Sequence, residues 1–340
     1  MKEFIRIGVD IGKSVFHVHA LESEDGRAAT RKLNRTGMRK FFASIAPSVV
    51  GMEACGSAHY WGRELKGMGH DVRLMPPAYV KPYVQRGKND AIDAAAACEA
   101  MARPKMRFVA IKSEAQQATL MAHKTRDLLV KQRTMLVNSL RGSLAEFGIV
   151  AAKGIERVEE LIAKAAAADL PEMARMAAQA LIEQLERLDA AIADLAKRIV
   201  KAHGRDEQVG LLKDVPGIRD MFATQVVASV SDPHAFKSGR DFSAWLGLTP
   251  RQDTTGGKTK LGPITKKGNR ALRKLLFLGA TSLLKVAHLH KGAVGDWLKA
   301  IKARKPYKVA AVALANKLAR IVWAIMTRGE AFRAEAFARA

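Results

Sequence analysis

Strand signal stops abruptly along this chain, and the place where it stops decides what the chain can fold into. Before Ser113 short apolar strands alternate with helical runs; from Ser113 to Gly204 no strand signal survives. Residues 4–10 (FIRIGVD), 14–20 (SVFHVHA) and 28–33 (ATRKLN) read as three strands, the first two joined across Gly12 and the next two across Ser23-Glu24-Asp25-Gly26. A helix (38–45), a strand (49–53), a helix (58–67), a strand (71–75) and a helix (89–102) follow. A meander that passes into alternation predicts an α/β layer fold for residues 1–112.

Residues 113–205 are expected to be helical. Leu181, Leu185, Leu188, Ile192, Leu195 and Ile199 step by 4, 3, 4, 3 and 4, the seam of a coiled coil, and Leu129, Leu136, Leu140 and Phe147 keep compatible spacing. An antiparallel helical hairpin follows, either an arm within one chain or an element of oligomerisation. After Asp206, LLKDVPGIRDMFATQVVASV reads as two short helices around Pro216-Gly217. Such a turn either offers backbone N–H groups to phosphates or simply packs, and Arg219, where a second glycine would allow close approach, leaves both open. Residues 206–340 then form a third, mainly helical domain, in which Phe242, Trp245 and Leu248 have core spacing.

The chain has 57 Lys plus Arg against 33 Asp plus Glu, and the excess sits at its ends: 19 basic to 11 acidic residues in 1–112, 14 to 12 in 113–205, and 24 to 10 in 206–340. Between Arg251 and Lys308 only Asp253 and Asp296 oppose 15 basic residues, more local depletion of acids than solubility needs. A polyanion is the expected partner. Cys55 and Cys98 are the only cysteines, which excludes a disulfide scaffold and fits a reducing, cytoplasmic setting. Glu3 and Asp10 interrupt any signal-peptide core, and Asn316, Lys317 and Arg320 break the apolar run Val309 to Met326, so no membrane association is expected.

Asp10 closes the first expected strand and Glu53 the fourth, while Asp90 and Asp93 lie at i and i+3 on one helix face. Singly, each has an ordinary explanation: a turn, a surface charge, a favourable helix N-terminus. Together they converge on one end of a sheet, where carboxylates repel unless cations neutralise them, and Mg²⁺ is the usual ion. Two ions about 4 Å apart clamp the attacking and leaving oxygens of a phosphoryl displacement. Asp93, between Ile92 and a run of alanines, needs a partner. Cys55 and Cys98 read as small buried hydrophobes, and His17 and His19 as one polar face of a strand.

Asp10 in IGVDIGK, Glu53 in GMEACGS and the pair in KNDAIDA resemble the DEDD motif of the RuvC-like, ribonuclease-H-fold domain in transposases of insertion sequence family 110. The run FSAWLGLTPRQDTTGGKTKLGPITKKGNRALRKLLFLGA resembles their transposase domain, its Gly-Gly-Lys wording being nearest the 1111 subgroup. The resemblance spans almost the whole chain, and it implies a recombinase that moves its own element, guided by a noncoding bridge RNA pairing with donor and target DNA. It also implies a dimer or tetramer with composite sites, carboxylates from one protomer and a serine hydroxyl from another, the hydroxyl forming a covalent link to DNA.

At the position of that serine stands Thr255, in Asp253-Thr254-Thr255-Gly256-Gly257. Threonine keeps the hydroxyl but adds a methyl group that crowds attack. Three readings stay open: Thr255 is the nucleophile, Thr254 substitutes, or this copy is impaired. Arg251, Lys258, Lys260, Lys266, Lys267, Arg270 and Arg273 surround the position and are expected to bind DNA or RNA phosphates. The rivals are a RuvC-like structure-specific nuclease, a decayed nucleic-acid-binding protein, and a sugar-kinase-like ATPase suggested by GVDIGKS but lacking its second phosphate loop.

Overall fold

The computed structural model describes residues 2–23, 27–84, 89–335 and 337. The expected turn at 24–26 lies outside the described residues. The chain divides into two compact units, Met1–Glu114 and Ala115–Ala340.

In the first unit, β1 (Arg6–Ile11), β2 (Val15–Leu21) and β3 (Ala28–Asn34) form the meander, followed by α1 (Arg35–Ala43), β4 (Val49–Glu53), α2 (Ala58–Gly67), β5 (Asp71–Met75), the single turn α3 (Pro77–Val80) and α4 (Asp90–Met101). The sheet order is β3-β2-β1-β4-β5, antiparallel within the meander and parallel across β1, β4 and β5. Strand alternation sorts side chains between two faces. Ile7, Val9, Phe16, Val18, Val50 and Met52 point to the face that buries Met38 and Phe42 of α1 and Trp61 and Leu65 of α2. The other face takes α4, through Ala97, Cys98 and Met101.

That second face is lined by glycine where α4 crosses. Gly8 of β1 and Gly51 of β4 are register partners. A Cβ on Gly8 would lie 2.0 Å from the Ala94 carbonyl oxygen, and one on Gly51 would lie 2.7 Å from Met101 Sδ. Two side chains' worth of space is removed, so the helix backbone lies directly on the strands. Asn89 caps α4 by accepting from the Ala91 N–H.

The second unit opens with α5 (Glu114–Ala145), α6 (Val158–Ala167) and α7 (Glu172–Ala202). Thr119 Oγ1 meets His203 Nε2 at 3.2 Å and Arg133 pairs with Asp189 at 2.8 Å, so α5 and α7 run antiparallel. Of the six seam residues, Leu185, Leu188, Ile192 and Ile199 are buried, while Leu181 and Leu195 are half-buried. On α5 the buried residues are His123, Val137, Leu140 and Leu144; Leu129 and Leu136 are half-buried, and Phe147 is 48% exposed, because the helix ends at Ala145 and Phe147 leaves the register that was to bury it.

Then come α8 (Glu207–Lys213), α9 (Asp220–Ser229), α10 (Gly239–Trp245), the hairpin β6 (Pro250–Thr255) and β7 (Lys258–Ile264), α11 (Arg270–Lys285), α12 (Gly292–Arg304) and α13 (Tyr307–Arg328). The turn between α8 and α9 packs: Val215 and Ile218 are buried, and the Gly217 carbonyl lies so close to Gly279 of α11 that a Cβ there would be 2.0 Å away. Phe242 and Leu248 are core residues, with Trp245 packed against them. α13 is apolar and long enough to cross a membrane, yet it is the central core helix of this unit, with Leu314, Leu318 and Val322 fully buried. Its Lys317 is 3% exposed beneath the rings of Trp297 and Phe337, and burial lowers its pKa to about 8.

Candidate active site

Asp10 and Gly8 share the α4 face of β1, and Glu53 and Gly51 share it on β4. Both carboxylates therefore leave the carboxyl ends of adjacent parallel strands on the side where α4 lies. On α4, Asp90, Asp93, Ala94, Ala97, Cys98 and Met101 follow helical spacing along the side facing the sheet, so the contact that seats the helix also brings its first turn to the strand ends. The charges of Asp90 and Asp93 are felt at Asp10, and those of Asp10 and Asp93 at Glu53.

Their electrostatics record the proximity. Burial, then the charges of Asp93 and Asp90, push the Asp10 carboxyl above its ordinary pKa, with His17 and the Ile11 backbone partly offsetting them. Burial, then Asp10 and Asp93, raise Glu53 in the same way. Cys98 is buried as expected, but Cys55 lies exposed just past the end of β4 and is not the buried hydrophobe its sequence suggested; desolvation, then the Glu53 and Asp10 carboxylates, raise its thiol pKa. A half-buried cluster of this kind has negative charge that the protein itself leaves largely uncompensated, and it fits a hard divalent cation.

One neighbour was not anticipated as part of the site. His17 is the register partner of Asp10 across β1 and β2, and its Nδ1 lies 3.6 Å from Asp90 Oδ2. One ligand atom each from Asp10, His17 and Asp90 fall within 4.8 Å of one another. The signal was strand parity: alternation sets His17 on the same face as Asp10, while Phe16 and Val18 enter the opposite core. His19 shares that parity and is half-buried, and desolvation lowers its pKa.

Thr255 lies in the other unit, at the end of β6. The tip is Gly256-Gly257, with φ of 57° and 77°, a two-residue turn that needs positive φ at both positions. Thr255 pairs with Lys258 and Thr254 with Thr259. The Thr254 hydroxyl is 3.3 Å from that of Thr259, while the Thr255 hydroxyl has no protein partner among the described residues. Every residue from Pro250 to Gly262 is exposed.

Known proteins resemble the chain over both regions. Residues 7–149 match the DEDD transposase family of IS110 elements, and residues 209–292 match the transposase IS116/IS110/IS902 family. A putative transposase of Sinorhizobium fredii is 45% identical over 98% of this chain and 87% of its own length. This chain belongs to the IS110 transposase family. The IS1111A transposase of Coxiella burnetii is 40% identical over 98% of this chain and 92% of its own length. A probable family 20 transposase of Pseudomonas aeruginosa is 44% identical over 96% and 98%. Membership implies DNA recombination, and a DEDD domain implies a divalent metal, which the acids described above fit.

The basic residues of this family member divide by their surroundings. Arg251, Lys258 and Lys260 lie on the exposed hairpin, and Lys266, Lys267 and Arg270 are exposed between it and α11. Arg273 is half-buried and donates from Nη1 to the Leu246 and Lys267 carbonyls, fastening the two chain segments that flank the hairpin. Burial and Arg270 lower its pKa. Lys274, one turn after Arg270, is paired with Asp127 at 2.8 Å.

Proposed function

We propose that this chain is an active recombinase that cuts and rejoins DNA at the ends of its own element by Mg²⁺-dependent phosphoryl transfer. The observation that carries the reading is the convergence of Asp10, Glu53, Asp90 and Asp93 at the carboxyl ends of β1 and β4. The mixed sheet with acids at these ends supports a ribonuclease-H, RuvC-like domain. Bound divalent cations supply charge stabilisation to the attacking and leaving oxygens. Asp10, Glu53, Asp90 and Asp93 would hold those cations, and the seating of α4 on Gly8 and Gly51 sets where Asp90 and Asp93 stand against the strand ends.

Thr255 is the proposed nucleophile, because its hydroxyl is free and the Gly256-Gly257 tip admits a phosphate closely. Its Oγ forms a bond to phosphorus as a backbone P–O bond breaks; the hydroxyl proton passes to solvent and the departing oxygen takes one up. Rejoining reverses the step. Arg251, Lys258, Lys260, Lys266, Lys267 and Arg270 hold donor and target DNA or a bridge RNA by phosphate contacts, with Arg273 positioning the loop. The working form is a homo-oligomer, dimer or tetramer, in which the antiparallel helices of 113–205 serve as the contacting arm.

Mixing two inactive variants tests chemistry and assembly together. Asp10→Asn and Thr255→Ala should each fail to cleave end-containing DNA alone, and should recover cleavage when co-assembled. Cleavage by Asp10→Asn alone at saturating Mg²⁺ overturns the metal assignment. Sequencing RNA that co-purifies after a high-salt wash tests guidance: a discrete transcript from the element's flank is expected, and a smear of host RNA contradicts it.

A further inference from the structure

A groove of about 900 Å³ opens in the second unit between the start of α10, the C-terminal half of α13 and residues 330–335. It shares no residue with the hairpin or the carboxylate site. Gly239 makes it possible: a Cβ there would lie 3.1 Å from the Arg320 Cα, so the bare glycine lets α10 lie against α13 and brings Arg240 to the rim. Arg240, Arg320, Arg328 and Arg333 line the opening, with Glu330 and Glu335 as the acids. Arg333 pairs with Glu330 at 3.9 Å. The other three arginines have no ion pair or hydrogen bond among the described residues, and Arg240 and Arg328 are exposed.

The same groove is walled by aromatic rings. Trp323 is pinned by its indole N–H, which donates to the Pro233 carbonyl at 3.0 Å, and it stays half-buried. Phe332 lies across the groove's lining from the segment after α13, also half-buried. A guanidinium fork suits phosphate oxygens, and an immobilised ring suits the face of an unstacked base. A duplex keeps its bases stacked and would use only the arginines. An acidic peptide would use the arginines and leave the rings without planar partners.

We propose that this groove binds a single-stranded stretch of nucleic acid, with Arg240, Arg320 and Arg328 on its phosphates and Trp323 and Phe332 against its bases. The assignment rests on the family reading that the chain handles nucleic acid, and it does not depend on the carboxylate chemistry. The groove requires neither a sugar 2′-hydroxyl nor its absence, so RNA and DNA strands share the recognising chemistry.

The test uses full-length protein and labelled 15-nucleotide strands of one mixed sequence, as RNA and as DNA, beside the 15-base-pair duplex. Ultraviolet crosslinking followed by peptide mapping should mark peptides carrying Trp323 or Phe332 with one or both single strands. Arg240→Gln combined with Arg328→Gln should lower the salt slope of single-strand binding by about 1.4, at about 0.7 per lost phosphate contact. Phe332→Leu keeps an apolar side chain against the core and Phe337 but loses the π-face, and should weaken single-strand binding by about 5- to 100-fold while the folded state, read by circular dichroism, is retained. Duplex affinity should move less in both variants. Crosslinks confined to other peptides with an unchanged slope overturn the proposal, as does equal loss for duplex and single strand, or displacement of the strand by poly-glutamate of matched charge. Asp10→Asn should bind single strands like the parent; loss of cleavage with retained groove binding separates the two readings.

Discussion

The two places where this protein is proposed to touch reacting DNA are built in opposite ways. The carboxylate site is assembled from three strands and a helix and is half-buried, its geometry set by contacts as close as backbone on backbone at Gly8. Thr255 stands on a two-stranded hairpin whose residues from Pro250 to Gly262 are all exposed. An isolated hairpin is marginally stable in water. One site is packed in place and gathers like charges that a bound cation would relieve; the other presents a hydroxyl without a partner among the described residues, on a thin element surrounded by arginine and lysine. Preorganisation is thus concentrated where charge is handled, and adaptability where the strand is engaged.

That contrast predicts an ordered series of effects. Thr255→Ala should eliminate the covalent protein–DNA adduct altogether, and Thr255→Ser should retain or raise it, read by denaturing gel; an adduct in the alanine variant would move the nucleophile to another hydroxyl. Asp10→Asn, Glu53→Gln or Asp93→Asn should each abolish Mg²⁺-dependent strand cleavage, since each removes a carboxylate proposed to hold the cations. Asp90→Asn should cost less, since that carboxylate is 63% exposed. Gly8→Ala should destabilise the first unit by about 1–3 kcal/mol through overpacking and depress cleavage with it. Gly262→Ala on the hairpin should change stability far less, because a Cβ there meets nothing closer than 3.7 Å. Equal destabilisation by the two substitutions would erase the contrast.

The smallest effects are in pH dependence, and they have opposite signs. Asp10 and Glu53 have folded pKa values raised above the unfolded ones. Their favourable contribution is therefore present at low pH and lost as pH rises through the folded values. His123, buried against Thr224 at 3.0 Å, has its pKa lowered from 6.5 to about 4. Its contribution is present above pH 6.5 and lost as pH falls toward 4. In metal-free buffer Asp10→Asn should accordingly raise Tm at pH 7 and lose that advantage in acid, while His123→Gln should flatten the acid limb. Added Mg²⁺ should raise the Tm of the parent and not of Asp10→Asn.

Much of the first unit could be read from sequence because its strands and helices carry strong period-2 and 3.6 patterns with turn residues between them. The expected elements at 49–53, 58–67 and 71–75 match β4, α2 and β5 residue for residue. The hairpin at 250–264 had no strand signal in the sequence, because RQDTT and KTKLGPI have no apolar face to announce one. Gly256-Gly257 was the available signal, since two adjacent glycines satisfy a two-residue hairpin turn. His17 escaped for a different reason: nothing local marks a histidine as part of a site, and only its register against Asp10 does so. Phe147 was misplaced because heptad counting does not know where a helix ends.

The central claim, that half-buried carboxylates act on a strand attacked by an exposed threonine, is tested most directly by locating the modified residue. Protein would be incubated with end-containing DNA with and without Mg²⁺, then digested, and the nucleotide-bearing peptide sequenced by mass spectrometry. The account predicts modification at Thr255, dependent on Mg²⁺ and absent in Asp10→Asn. Modification at any other residue, or an adduct that forms in Asp10→Asn, would contradict it.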